Sequence, residues 1–312
     1  MPLFSRLRVF ACKTETTVGT AIALGASDGV FNAFDTVIQP TGEWIKRKGQ
    51  GVIRNMDGLV GLRSGTMTFK TELFGDGAAG VPTWASTLLP ACGYVNSAGT
   101  FSPTLEAPGS NVKTLTMGCY ENGLFKSIRG AVGNAKFTFE IGKQPMIEWT
   151  FMGSWVAVSD VTIIAPTYPT RIPMRAAGGS IAIGSWAPKF KTMTLDMGNV
   201  LAVRPDIVPT DASGIHSYII TDRDPVGTFD PESGLVADTD ADVYGDWLAG
   251  TEDTFTLYCD DANDKITFSS TKCQRTNVQE ADREGLQIDN IGLQFNDSTS
   301  GNDSLKIAFG AP

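Results

Sequence analysis

One histidine, five cysteines and a short acidic cluster are the residues of this 312-residue chain whose types suggest catalysis or metal binding. His216 lies in Gly214-Ile-His-Ser217, at the start of a predicted strand. A Ser-His-Asp or Cys-His relay could form only around it, and no nucleophile-elbow pattern stands nearby. It reads as a satisfied or solvated histidine. Cys12, Cys92, Cys119, Cys259 and Cys273 are odd in number, widely spread and without a CxxC pair. They are expected to be free, mostly buried thiols of a protein folded in a reducing cytoplasm. A single imidazole and no cysteine pair at ligand spacing argue against zinc. Asp238-Thr-Asp-Ala-Asp242 with Asp246 has part of the spacing of a calcium loop. Val243 replaces the required glycine and Ala249 the closing glutamate, so it reads as a solvated loop before a helix. No phosphate-cradling glycine motif stands between a strand and a helix, and no two carboxylates are paired for glycoside chemistry. Neither an enzyme nor a cofactor is expected.

The chain must then be read through the elements that carry its other residues. Hydrophobic residues make up 42% and charged residues 19%, which is the balance of a packed protein rather than a disordered one. The formal charge of −9 excludes a generic binder of nucleic acid through phosphate neutralisation. No apolar run reaches the length of a membrane span or of a signal peptide, so neither membrane insertion nor secretion by that route is expected. Short runs of period-two alternation, separated by Gly, Pro, Asn and Asp, predict an all-β fold. Ser64 to Leu73 puts Met67, Phe69 and Thr71 on one face and Ser64, Thr66, Thr68, Lys70 and Glu72 on the other. Asn111 to Tyr120 and Leu124 to Ile128 flank a hairpin turn at Asn122-Gly123. Asn134 to Ile141 turns Ala135, Phe137, Phe139 and Ile141 inward, and Pro145 to Met152 does so with Ile147, Trp149 and Phe151. A helix is predicted at Val81 to Cys92, with Trp84, Leu88 and Leu89 on one face and Gly93 as its cap.

Residues 159–179 hold three prolines and end in Gly178-Gly179, a linker composition. Beyond it the plan restarts: strands at Lys191 to Val203, Ile215 to Asp230, Thr254 to Cys259, Lys265 to Ser270 and Gly285 to Asn296, and a short helix at Ala241 to Ala249. Matching the halves pairs Gly65–Glu72 with Gly227–Glu232, Trp84 with Trp247, Thr114–Met117 with Thr254–Leu257, Asn122-Gly123 with Asn263-Asp264, and Ile147, Trp149 and Phe151 with Ile291, Leu293 and Phe295. The expected organisation is one domain at 1–158, a linker at 159–179 and a similar domain at 180–312. Residues 1–179 carry 16 basic against 12 acidic side chains, and residues 180–312 carry 9 against 22. Similar domains with net charges of +4 and −13 suit a head-to-tail ring in which unlike domains meet.

A family resemblance rests on several stretches. Lys13-Thr-Glu-Thr-Thr-Val-Gly-Thr20, Gly65-Thr-Met-Thr-Phe-Lys-Thr-Glu-Leu-Phe-Gly-Asp-Gly77 and Pro82-Thr-Trp-Ala-Ser-Thr-Leu-Leu-Pro-Ala-Cys-Gly93 lead the first half. Tyr120 to Gly133 and Phe137-Thr-Phe-Glu-Ile-Gly follow, and Thr194-Leu-Asp-Met-Gly-Asn199 and Thr228-Phe-Asp-Pro-Glu232 stand in the second half. The chain resembles the tail tube (major tail) proteins of long-tailed, non-contractile bacteriophages, of the kind with two tube domains in one chain. Glu43 to Gly61 departs from the family pattern. The resemblance implies two tandem β-sandwich domains, each with a short flanking helix, and a structural virion protein assembled in the host cytoplasm. It implies homotrimeric, pseudo-hexameric rings (alternatively homohexameric ones) stacked around a lumen through which viral DNA is ejected without specific binding. Tape-measure, tail-terminator and tail-tip proteins are the implied partners.

Within that frame Ser64, Thr66, Thr68, Glu140, Glu148 and Thr150, which oppose the apolar strand faces, are the expected lumen-lining residues. Two hairpin tips, at about Gly42 to Asn55 and Arg204 to Gly214, are expected to touch neighbouring rings through Trp44, Lys46, Arg47, Lys48, Arg204, Asp206 and Asp211. Two alternatives stand beside the tube subunit. One is the inner tube of a contractile injection or type VI secretion system, whose subunits are usually single domains. The other is a carbohydrate-binding β-sandwich of a virion tip.

Overall fold

The computed structural model describes residues 7–29, 31–49, 51, 55–77, 80–104, 112–177, 179–207, 213–236, 242–260 and 264–310. Within them the chain is all-β with two short helices. The order is β1 (Arg8–Thr14), β2 (Phe34–Arg47), β3 (Met56–Glu72), α1 (Thr83–Leu88), β4 (Tyr94–Ser97), β5 (Thr100–Pro103), β6 (Leu115–Glu121), β7 (Leu124–Glu140), β8 (Met146–Trp155) and β9 (Ser159–Asp160). The second half continues with β10 (Ser180–Ile183), β11 (Phe190–Asp196), β12 (Asn199–Pro205), β13 (Ile215–Arg223), β14 (Val226–Pro231), α2 (Val243–Ala249), β15 (Asp253–Asp260), β16 (Lys265–Arg283), β17 (Leu286–Asn296) and β18 (Lys306–Gly310).

Hydrogen-bonded pairing follows the same path in each half. β1 pairs β6, and β6 leads through β7, β8 and β3 to β2. β10 pairs β15, and β15 leads through β16, β17 and β14 to β11. α1 falls between β3 and β6, and α2 between β14 and β15. The two paths join where Lys136–Glu140 of β7 runs antiparallel to Asp196–Thr192 of β11. β2-β3-β8-β7-β11-β14-β17-β16 is therefore one run of eight hydrogen-bonded strands. A second join links β18 to β16 on one side and to β5 of the first half on the other. One apolar core spans both halves, with Trp84, Trp149, Phe69 and Phe151 in the first and Phe255, Phe268 and Phe295 in the second, all fully buried.

The local chemistry explains several departures from the expected elements. The strands foreseen at Leu124 to Ile128 and Asn134 to Ile141 are one strand, β7, with a register shift between Arg129 and Val132. Gly130 sits in the shift at φ +58, and a Cβ there would lie 2.9 Å from the Ser217 backbone, so glycine lets the strand continue through the bulge. Ile141 lies beyond the strand end and is exposed, not inward. Lys191 to Val203 is two strands, because the chain turns at Gly198, where φ is +65 and a Cβ would fall 1.8 Å from the Asp224 carbonyl oxygen. Ile215 to Asp230 likewise divides into β13 and β14. Only Thr83–Leu88 of the expected Val81 to Cys92 helix is α-helical; Leu89–Cys92 tightens to a 3-10 turn with Pro90 in it, and Gly93 caps it at φ +77. The Asn122-Gly123 turn forms with both residues at positive φ, as foreseen. Asn263 of the matched turn lies outside the described residues. Strand register also shifts one matched pair: Met67 faces Phe151, whereas Phe229 faces Ile291, so Phe229 takes the place of Thr71, which faces Ile147. Trp247 is 42% exposed where its counterpart Trp84 is wholly buried.

Candidate functional site

The face of the eight-strand run that turns away from the core is polar. Cross-strand register brings all six expected lumen residues onto it. Thr68 lies opposite Thr150, which lies opposite Asn134. Ser64 and Thr66 lie opposite Ser154 and Met152, and Glu140 lies opposite Thr192. The next row reads Lys70, Glu148, Lys136, Asp196 across β3, β8, β7 and β11. Charges thus alternate in sign from strand to strand, an arrangement in which each neighbour stabilises the next. Thr138, Thr194 and Thr228 form another row, with the last two hydroxyls 2.7 Å apart. The face crosses from one half to the other without interruption, and the Asn134 amide seals the crossing by donating to Asp196 at 2.8 Å.

At the Ser64 end the β12–β13 hairpin covers this face. Ile215 and Tyr218, flanked by Leu201 and Ile220, pack on Val132 and Met152. Its base is tied down by buried polar groups. The Arg63 amide donates to the Ser213 carbonyl at 3.0 Å. Arg129, 3% exposed, donates to the carbonyls of Gly19, Ile215 and His216 and to the Ser213 hydroxyl. Arg223 and Asn199 donate to the Cys92 carbonyl at 3.0 and 2.9 Å, and Arg223 also stacks over Tyr94. Glu15 supports the Arg129 bulge from below: it accepts from the amides of Gly19 and Gly130 and the hydroxyls of Thr114 and Thr116, at 2.6–2.9 Å. None of these four residues was singled out from sequence. Arg129 alone carries a local mark, a charge inside an apolar stretch, between Ile128 and Gly130-Ala131-Val132.

The hairpin candidates fall in two places. Trp44 lies in β2 opposite Val60, with Lys46 and Arg47 at the strand end and Lys48 just past it, all exposed. Arg204 is exposed near the end of β12, and the Asp206 amide donates to the Gly214 carbonyl. Asp211 lies outside the described residues, as do Asp238 and Asp240 of the acidic cluster. Of that cluster, Asp242 caps α2 by accepting from the Gly245 amide at 2.8 Å, and Asp246 pairs with Arg275 at 3.1 Å. His216 is half-buried at the start of β13.

No family model matches the chain, and no curated protein matches it at a significant level.

All five cysteines are free and buried, as the sequence suggested. Burial pushes the Cys119 thiol up to about 11 and those of Cys259 and Cys273 up to about 12, and it raises Cys12 and Cys92 as well. At pH 8 the native protein should leave all five unreacted with a soluble disulfide reagent, and denaturant should release five equivalents. The unfolded thiols ionise near about pH 8.5 while the native ones keep their protons, so stability should decline as pH rises above that value.

Proposed function

We propose that this chain is the repeating subunit of a bacteriophage tail tube, with the part of its polar sheet face that the β12–β13 hairpin leaves open lining the lumen. The observation that carries the reading is the β7·β11 pairing. It makes one sheet of two similarly ordered four-strand sets and leaves β2 and β16 at the ends of the run. From Thr276 to Arg283, β16 has a strand partner on one side only among the described residues. An end strand of this kind invites pairing with another chain, and a closed barrel removes it. Repeating between copies the join already made within the chain sets β2 of one copy against β16 of the next. Three copies of eight strands, tilted as barrel strands are, enclose a lumen on the order of 40 Å across once side chains are allowed for. That is room for a DNA duplex.

The lining suits passage rather than capture. Its charges are few: Lys70, Glu148, Lys136 and Asp196 alternate in one row, Glu72 and Glu140 add negative charge, and Thr, Asn and Gln supply most of the rest. Such a wall offers phosphate no field to fall into. The tape-measure, terminator and tip partners follow from the resemblance, and the site of action is the virion tail.

Electron microscopy of the purified protein tests the reading: hollow cylinders or rings with about 40 Å lumens are expected, and a protein that stays monomeric at every concentration overturns it. Because the net charges of the halves are opposite, assembly should weaken as salt rises; assembly that strengthens would remove the attraction between unlike halves from the account.

A further inference from the structure

The distal part of the β2–β3 pair is an arm that touches little of its own chain. Trp44 is 59% and Leu59 50% exposed, and Ile45, Met56, Val60 and Leu62 are exposed with them. Isolated apolar residues on a surface need no account, but six on one projecting hairpin do. The second half shows what such an arm does. Its counterpart, the β12–β13 hairpin, also extends from the first two strands of its set and lies across the first half, burying Tyr218 and Ile215 and binding the end of the α1 segment through Asn199 and Arg223.

An unmatched receptor stands at the other end of the eight-strand run. α2 packs on the β16–β17 end of the run, where Trp247 donates from its ring nitrogen to the Thr276 carbonyl and Tyr244 donates to Asp289 of β17 at 3.1 Å and reaches Glu280 of β16. Leu248 is 77% exposed and Trp247 42%, whereas the matching α1 has Trp84 and Leu88 wholly buried. Charge is complementary: Lys46, Arg47 and Lys48 end the arm, and Glu280 and Asp282 are exposed on the receptor side. Along the sheet the two sites stand seven strand spacings apart, about 34 Å at ~4.8 Å each.

We infer that the β2–β3 arm of one copy seats on the α2–β16 surface of a second copy in the same ring, repeating between chains the grip that β12–β13 makes within one. This assigns the arm to ring closure, in place of the ring-to-ring contact expected from sequence. The contact is head to tail, so each copy offers one arm and one receptor. The inference rests on the tube reading for the closing of the ring.

Two exposed positions test it without touching the core: Leu59→Asp on the arm and Leu248→Asp on the receptor. Each variant should keep the wild-type circular dichroism and melting profile yet sediment as a monomer. Mixed in equal amounts, they should form a dimer and nothing larger, since one sound arm and one sound receptor remain. Variants that still close rings overturn the inference, and rings of Leu59→Asp that form but no longer stack do so while leaving the tube reading intact. A folded mixture that remains monomeric also overturns it. Wild-type chains that join head to tail but never build cylinders would sink the tube reading and leave this contact standing.

Discussion

Replacing Arg129 with methionine should lower the stability of the chain by at least about 3 kcal/mol. The side chain is 3% exposed and reaches from the β7 bulge to both the Gly19 turn of the first half and the start of β13 in the second. Methionine keeps the apolar stem but strands the carbonyls of Gly19 and His216, while the Ile215 carbonyl keeps only the Ser213 hydroxyl. Each buried group so stranded costs about 1–3 kcal/mol. Lysine should recover only part of the loss, because a point charge cannot serve three diverging acceptors as a planar fork does. Urea unfolding measures the effect: the midpoint should fall for Arg129→Met and less for Arg129→Lys. A midpoint within experimental error of wild type would mean that the hairpin holds to the first half by its apolar face alone.

That prediction depends on a contact sequence patterning could not reach, and the reason is physical. Alternation reports which face of a strand meets the core, so Met67 and Phe69, or Ile147 and Trp149, were legible from residue types, and so was the polar face opposite them. Partner choice between strands far apart in the chain leaves no such trace. The β7·β11 join, which makes two sheets one, pairs Phe139 with Met193 and Phe137 with Leu195, residues as apolar as any other core pair. Boundaries failed at two glycines that act in opposite ways. Gly130 carries β7 through a bulge, whereas Gly198 ends β11 inside a run that still alternates. The pairing of Trp84 with Trp247 matched residue type and element, but not environment. One ring has a roof formed by Phe309 of β18 at 5.6 Å, and the other stands at the edge of the run. The polar residues that fasten the hairpin were missed for the same reason as the join: Glu15 and Arg129 find their partners about a hundred positions away.

The strongest functional effect should come from placing arginine at Thr150 and Thr194, both part-exposed on the polar face, one in each half. Neither site packs into the core, so the substitution should spare the fold and, on the proposed tube reading, change only what the lumen wall offers to DNA. A ring of three such chains would present about six guanidinium groups to phosphate, and log affinity would then fall with log salt at a slope of about −0.9 for each phosphate neutralised. Repeated in every ring, the contacts accumulate along the tube. Cylinders of Thr150→Arg/Thr194→Arg should therefore retain DNA at 50 mM salt and release it steeply by 200 mM, where affinities of this kind lose on the order of a thousandfold or more. Wild-type cylinders should retain none at either salt. The Thr150→Glu/Thr194→Glu variant should match wild type, since added repulsion takes nothing from a wall that does not bind. The decisive comparison is a filter-retention assay across salt. If the arginine variant holds no more DNA than wild type, or holds it regardless of salt, the polar face does not line the path of the nucleic acid. The alternating row of Lys70, Glu148, Lys136 and Asp196 would then belong to an outer surface.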